Sequence, residues 1–575
     1  MQLTNPTTID LKSRLEELKQ KVFEQTEAVS DRMRLFFGNK PKFIIFLSFS
    51  DGKSRAYVCK GSGNSVESSW QNAVDSMNSR LKKLKTAPLW IKADLVKDIK
   101  GYSFEGFMSH VSKIRTNYFR EGIALDEMFN LAFLEQQVNA NVFLYDNKET
   151  RKKQVSWKNI MAHIKYNMGL KLELDENSCK NIWLFSTIGF FHDGTTCYNL
   201  NNDWLNNGRR DIEEIDENLL RSVIARSSAY LADQVDSTGK YRYGYFPCFN
   251  KEIPGYNILR HASTTYAMIE AFEVTRDEQL GQAIKLALNY LAVEGIESLV
   301  DENGVARSFM IERTRDNEIK LGANAAAILA YSKYTTVFND GKYVQLMTQL
   351  AEGISYFQDK QDSSFVHVLN FPDLSIKDRY RIIYYDGEAA FALMRLYGID
   401  RNERWLDIVE RAFGHFIRNE YWNYKDHWLS YCSFELVKYK PERKYIEFNL
   451  KNAAGILDFC LTRETTYPTL LELLMATCNM VEKMKEEDLD LDLLESFDVE
   501  KLMRAIEHRV EHQLNGLYFP EVAMYYKAPQ NILGAFYIRH HSFRARIDDI
   551  EHNISGYCSY LRQIFVPTSE NIVQT

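Results

Sequence analysis

Tyr384–Gly398 reads YYDGEAAFALMRLYG, and this stretch decides the fold. A charged start carrying Asp386 and Glu388 runs directly into small apolar residues. Ala389, Ala390, Ala392, Leu393 and Leu396 recur at the three- and four-residue spacing of a packed helix. Small side chains let neighbouring backbones approach closely, as an inner ring of helices requires. The polar N-terminal turn then opens into the mouth of that ring. The stretch reads as one copy of a unit that recurs through the C-terminal two-thirds.

From about Glu214 the pattern is a series of helical pairs. Outer helices are expected at Glu217–Asp233, Glu278–Val293, Tyr343–Gln358, Arg404–Arg418, Tyr445–Leu461 and Val499–Gln513. Inner helices are expected at His261–Glu273, Gly322–Tyr334, Gly387–Tyr397, His427–Lys438, Thr469–Met480 and Asp548–Tyr560. One hairpin cannot bury its apolar face alone, so such repeats must stack. The links carry turn chemistry followed by an apolar or aromatic residue, as in DSTGKY from Asp236, DENGV from Asp301 and NGLY from Asn515. A closed ring removes the exposed ends of an open stack.

On hairpin number, link texture and polar inner-helix starts, residues 214–563 resemble the six-hairpin α/α-toroid superfamily. That group includes glycoside hydrolases, polysaccharide lyases, N-acylglucosamine epimerases and lanthionine cyclases. The resemblance implies a mainly α protein, an (α/α)6 toroid, with a smaller N-terminal α+β domain. It also implies an active site in the funnel at the N-terminal ends of the inner helices. It does not choose the reaction.

The rest of the chain sets bounds. A net charge of −7 over 575 residues argues against a nucleic-acid partner. No apolar run approaches the roughly 20 residues of a membrane span, and MQLTNPTTIDLKSRLEELKQ lacks a secretory apolar region, so a cytoplasmic protein is expected. Eight cysteines without CxxC pairs read as reduced thiols. Residues 1–40 contain an amphipathic helix from Ile9 to about Phe37 that can cap the protein or join two copies. Residues 41–213 read as an α+β module. It has strands at Phe43–Phe49, Arg55–Cys59 and Leu89–Val96, a helix capped by Ser65, and a helix running into a strand over Gly122–Tyr145. A hairpin follows over Ile182–Leu200, turning at His192–Gly194. The loop KGSGNS from Lys60 lacks a phosphate-binding fingerprint and reads as a turn and helix cap. Residues 564–575 form a tail.

A polar set gathers at the expected funnel. It comprises Tyr256, Asn257, Arg260 and His261, then Tyr385, Asp386 and Glu388, then Asp426, His427 and Trp428. Glu521 follows in a link, and Arg544, Arg546, Asp548, Asp549 and His552 start the last inner helix. Glycoside hydrolysis needs two carboxyls in different protonation states, and Asp386 or Glu388 facing Asp548 or Asp549 can supply them. Arg260 and Arg546 can clamp an anionic substrate. A lyase or epimerase instead removes a proton beside a carbonyl, with His261, His427 and Tyr256 as acid and base groups. Neither an HExxH nor a paired-cysteine motif accompanies the aspartates and histidines, so no metal or cofactor is expected. The leading expectation is hydrolysis of an anionic or polyhydroxylated glycan. Epimerisation or elimination is the alternative, and a non-catalytic scaffold or peptide- or polymer-binding toroid in a larger assembly is the rival from another class.

Overall fold

The computed structural model describes residues 10–38, 42–85 and 87–566. The N-terminal tip, two short gaps and most of the expected tail lie outside them.

The N-terminal third is built on a seven-stranded sheet. Its strands run in the order Tyr57–Gly63, Phe43–Ser50, Trp90–Ser103, Asn181–His192, Gly122–Ala124 and Ala132–Phe133, and Cys197–Asn199 pairs with Asn181–His192. Phe43–Ser50 is buried on both faces, which is why FIIFLSFS is an unbroken apolar run rather than an alternating one. The helix Val66–Leu84 packs across this strand and its neighbour. Ser65 caps it, accepting from the Ser68 backbone. Gly61 and Gly63 belong to the strand below. A β-carbon at Gly61 would strike the Ser69 carbonyl and the Ala73 backbone, so the glycines serve close strand–helix packing.

Three local expectations need correction. The single helix over Ile9–Phe37 is two helices, Leu11–Phe23 and Thr26–Phe37, which bury Leu18, Val22, Val29 and Met33. Gly122–Tyr145 is mostly not helical. The expected closing strand is present at Leu144–Asp146, but before it stand two short strands and the single short helix Glu135–Ala140, because the Asp126 carboxylate accepts from the backbone N–H groups of Asn130 and Leu131 and closes a turn. The outer helix over Tyr445–Leu461 breaks at Gly455 into Arg443–Ala454 and Leu457–Thr462.

The rest is mainly helical, with a five-stranded sheet of Ile296–Val300, Ala306–Glu312, Glu318–Lys320, Val368–Asn370 and Ile376–Asp378 in its links. Numbering only these later helices, the hairpins are α1 (Glu217–Asp233) with α2 (Ile258–Thr275), α3 (Glu278–Tyr290) with α4 (Leu321–Phe338), and α5 (Val344–Phe357) with α6 (Tyr385–Asp400). They continue with α7 (Glu403–Arg418) and α8 (His427–Val437), α9 (Arg443–Ala454) and α10 (Thr469–Glu487), and α11 (Val499–Gln513) and α12 (Ile547–Phe565). The even-numbered helices pack each against the next, α2 on α4, α4 on α6 and so on, and α12 packs back on α2. The odd-numbered helices pack mainly on the even-numbered helix that precedes them in the chain, α3 on α2, α5 on α4, α7 on α6, α9 on α8 and α11 on α10, while α1 packs on α12 and α2. Burial agrees with this order. α4 and α6 are buried nearly all round, whereas α7 buries one stripe of Trp405, Leu406, Val409, Phe413 and Phe416.

The sheet region is tied to the helices through buried polar contacts. Tyr525 donates to Ser48 (2.8 Å), and the Ala56 N–H donates to the Met524 carbonyl (2.7 Å). Arg210 grips Glu521 with both ends of its guanidinium, at 2.9 and 2.8 Å. All eight cysteines are free, and no helix among the described residues is long and apolar enough to cross a membrane.

Candidate functional site

The first turns of the inner helices bring charged groups from distant parts of the chain into one buried cluster. The strand pair Gly244–Phe246 and Ala545–Arg546 holds the chain straight just before α12. This fixes Arg544 and Arg546 over the first turn, where Asp548 and Asp549 also complement the positive end of the helix. Arg260 of α2 and Arg546 both pair with Asp548. Asp549 pairs with Arg544 (3.0 Å) and Arg546 (3.2 Å). Three guanidiniums over two carboxylates leave one positive charge in excess.

Beside this network, His427 opens α8, Glu472 sits on the first turn of α10, and His552 follows on α12. The two imidazoles meet edge to face, with ring centres 5.4 Å apart. Glu472 lies between them, its Oε2 2.9 Å from His552 Nδ1 and 3.9 Å from His427 Nε2. His427 Nε2 is buried and has no hydrogen-bond partner. On the other side of His552, Glu551 lies 3.5 Å from Nε2 and accepts hydrogen bonds from Ser263 and Thr264 of α2 (2.7 and 2.8 Å). Glu388 of α6 is buried with an unpartnered Oε2, resting where a β-carbon at position 322 would stand. Gly322 therefore makes room for this carboxyl.

These environments push the protonation states apart. Burial drives His427 well below the ordinary imidazole range, and the His552 charge adds to it. Burial alone would lower His552 too, but Glu472 and then Glu551 outweigh it and lift His552 to about 9. Burial and the neighbouring Glu551 raise Glu388 to about 8, and burial raises Glu472 to about 7 against the pull of His552. At neutral pH the site thus holds a neutral imidazole, an imidazolium and a protonated carboxyl. Split values of this kind mark acid and base assignments. Oxygen and nitrogen atoms of His427, Glu472 and His552 all lie within 4.8 Å of one another, so these three also have the composition to hold a cation.

The residues expected from sequence divide into three groups. Arg260, Glu388, His427, Arg544, Arg546, Asp548, Asp549 and His552 come together. Asp386 stands next door, bound to His367, whose Nδ1 accepts from the Arg381 N–H (2.9 Å) so that Nε2 donates to the aspartate (3.1 Å). Asp426 caps α8, accepting from the Trp428 N–H at 2.9 Å, and burial raises its pKa well above the ordinary carboxylate range. Tyr385 packs on His367, and Trp428 on Phe391 and Tyr431. The third group is structural. His261 donates from Nε2 to the Ala287 carbonyl (2.9 Å) and accepts from Tyr256 at Nδ1, so neither nitrogen is left to handle a proton. Asn257 caps α2, and Glu521 is fully buried on Arg210. Nor does the expected carboxyl pair survive as drawn, because Asp548 and Asp549 are both neutralised by arginines.

Glu472, Glu551, Ser263 and Thr264 were missed by sequence reading. The signal available was a lone Glu in TLLELLMATCNM, a charge in an otherwise apolar inner helix that requires a partner.

No family model and no curated protein matches the chain. Among solved structures it is similar in shape to several sugar-processing enzymes. A sugar epimerase from a ruminal bacterium is 13% identical over 60% of this chain and 99% of its own, with a TM-score of 0.48. Cellobiose 2-epimerase from Bacillus thermoamylovorans is 13% identical over 60% and 99%, with a TM-score of 0.46. A GH76 α-mannanase from Bacteroides thetaiotaomicron is 9% identical over 63% and 99%, with a TM-score of 0.44. What the site does follows from its own side chains.

Proposed function

We propose that residues 214–563 form an (α/α)6 toroid beside an α+β module at 41–213, and that its funnel holds a carbohydrate-active enzyme. The reaction best supported is proton transfer beside the carbonyl of a reducing sugar, giving an epimer or a ketose. One observation carries this reading: the buried, unpartnered Nε2 of His427 stands beside the His552 imidazole, with Glu472 between them. Neutral His427 takes the proton from the carbon next to the carbonyl. The His552 imidazolium, held by Glu472, supplies a proton to the carbonyl oxygen, so carbanion charge never accumulates unshielded. The two transfers act on neighbouring atoms, which suits two imidazoles standing side by side. Arg260, paired with Asp548 and near enough to act electrostatically on Glu388, Glu551 and His552, adds positive charge beside the enediol. Return of a proton to the first carbon gives the ketose, and return to the second carbon on the face opposite to the one it left gives the epimer.

Glu388 supports a second reading. A protonated buried carboxyl is the form a glycosidase acid requires. Its base would have to be Glu551, since the aspartates are engaged.

The test is a panel of reducing mono- and disaccharides incubated in deuterium oxide. Deuterium appearing at the second carbon of one sugar supports proton transfer. Release of reducing ends from a glycan without exchange would replace it by hydrolysis.

A further inference from the structure

We propose that the site continues outward as a binding row for an acidic oligosaccharide, made by Tyr384, Tyr467, Phe459 and Arg463. The proposal rests on the reading above only for where the reacting sugar residue sits. The Tyr384 ring stands edge-on to His427 with centres 5.6 Å apart, and its hydroxyl lies 3.5 Å from that of Tyr467. Tyr467 in turn packs against Phe459 at 6.4 Å between ring centres. Tyr467 and Phe459 are each 39% exposed, so the row runs from the buried imidazoles out to solvent. Aromatic faces of this kind accept the C–H faces of sugar rings, which present apolar surface between polar hydroxyls.

Two further features mark the row as built for a ligand. Tyr467 has a backbone φ of 41°, a left-handed conformation that is a strained outlier for an aromatic residue. No packing of Tyr467 against a buried core accounts for that strain, since its ring lies in the open row. Arg463 lies over both rings, 4.9 Å from the centre of Phe459 and 6.0 Å from that of Tyr467, with its Nε held by Thr465 Oγ1 at 2.8 Å. Among the described residues it has no carboxylate partner; adjacent Glu464 turns instead to Arg115 (4.0 Å). Arg115 and Arg544 nearby are paired with Glu464 and Asp549, so Arg463 is the guanidinium left over at this edge. A guanidinium laid on stacking surfaces and left without a counter-ion suits a carboxylated sugar unit.

The test is calorimetric titration of the full chain with two series of one to four residues, oligogalacturonates and neutral cello-oligosaccharides. Affinity should rise at least tenfold from one to three residues in the acidic series and exceed that for the neutral trimer. Arg463→Gln should erase the preference for the acidic series, and Tyr467→Ala should flatten the dependence on length, both variants melting like the parent. Equal affinity for the two series, failure of both to bind, or variants that keep both dependences would overturn the proposal. Because binding is read without turnover, failure of the proton-transfer reading shows separately, as absent deuterium exchange.

Discussion

Replacing Glu388 by Gln should stabilise the protein, and by an amount that grows with pH. The carboxyl is buried, its Oε2 has no partner, and its folded pKa is raised from the ordinary 4.5 to about 8. A folded value above the unfolded one means that the native state holds a proton the unfolded chain has released. Stability from this group is therefore complete below about pH 4.5 and is lost as pH rises toward 8. The slope over that window is about 1.4 kcal/mol per pH unit. At pH 7 the wild type has lost about 3 kcal/mol, which a neutral Gln of similar shape does not lose. For a chain this long, about 1 kcal/mol corresponds to about 1 °C in melting temperature. Melting curves at pH 5, 6, 7 and 8 should thus diverge, with the variant ahead by about 3 °C at pH 7 and nearly level with the wild type at pH 5. Parallel curves across this range would show that Glu388 is ionised in the folded protein, and the assignment of a protonated carboxyl to the site would fall.

Three further outcomes are expected. Turnover should fall tenfold per pH unit as pH rises through about 9, where the His552 imidazolium is lost, and a flat profile to pH 10 would exclude His552 as the acid. Gly322→Ala should cost about 1–3 kcal/mol and at least tenfold in rate, because the added methyl group meets the Glu388 carboxyl and the Tyr385 ring; an unchanged rate would remove Glu388 from the working site. Prolonged treatment with a chelator should leave deuterium exchange unchanged, although His427, Glu472 and His552 have the composition of a cation site. Loss of exchange restored by zinc would make the metal part of the reaction.

The helical hairpins were legible because their signals are local. Apolar spacing, Asp, Asn and Gly turns, and small residues on the inner faces stand within a dozen residues of one another. Gly122–Tyr145 was misread for a complementary reason. Its apolar residues also fall at helical spacing, but Gly122 lies under the Phe185 ring in the sheet, a contact 63 positions away. The site was legible only where charge accumulates at helix starts, as in RARIDDIEH from Arg544. Which of those charges are free depends on partners that sequence does not display. Asp548 looks like a catalytic acid until Arg260, almost three hundred residues earlier, is placed against it. Glu521 looks exposed in its link until Arg210 is found beneath it. Glu472 looks like a stray charge until His552 arrives.

The most direct measurement is deuterium exchange at the carbon beside the carbonyl, followed by mass spectrometry on a responsive sugar with the wild type, His427→Gln and His552→Gln. Each substitution should lower the exchange rate by about a hundredfold or more, while both variants stay folded. Exchange that survives both substitutions would contradict the roles given to the two imidazoles.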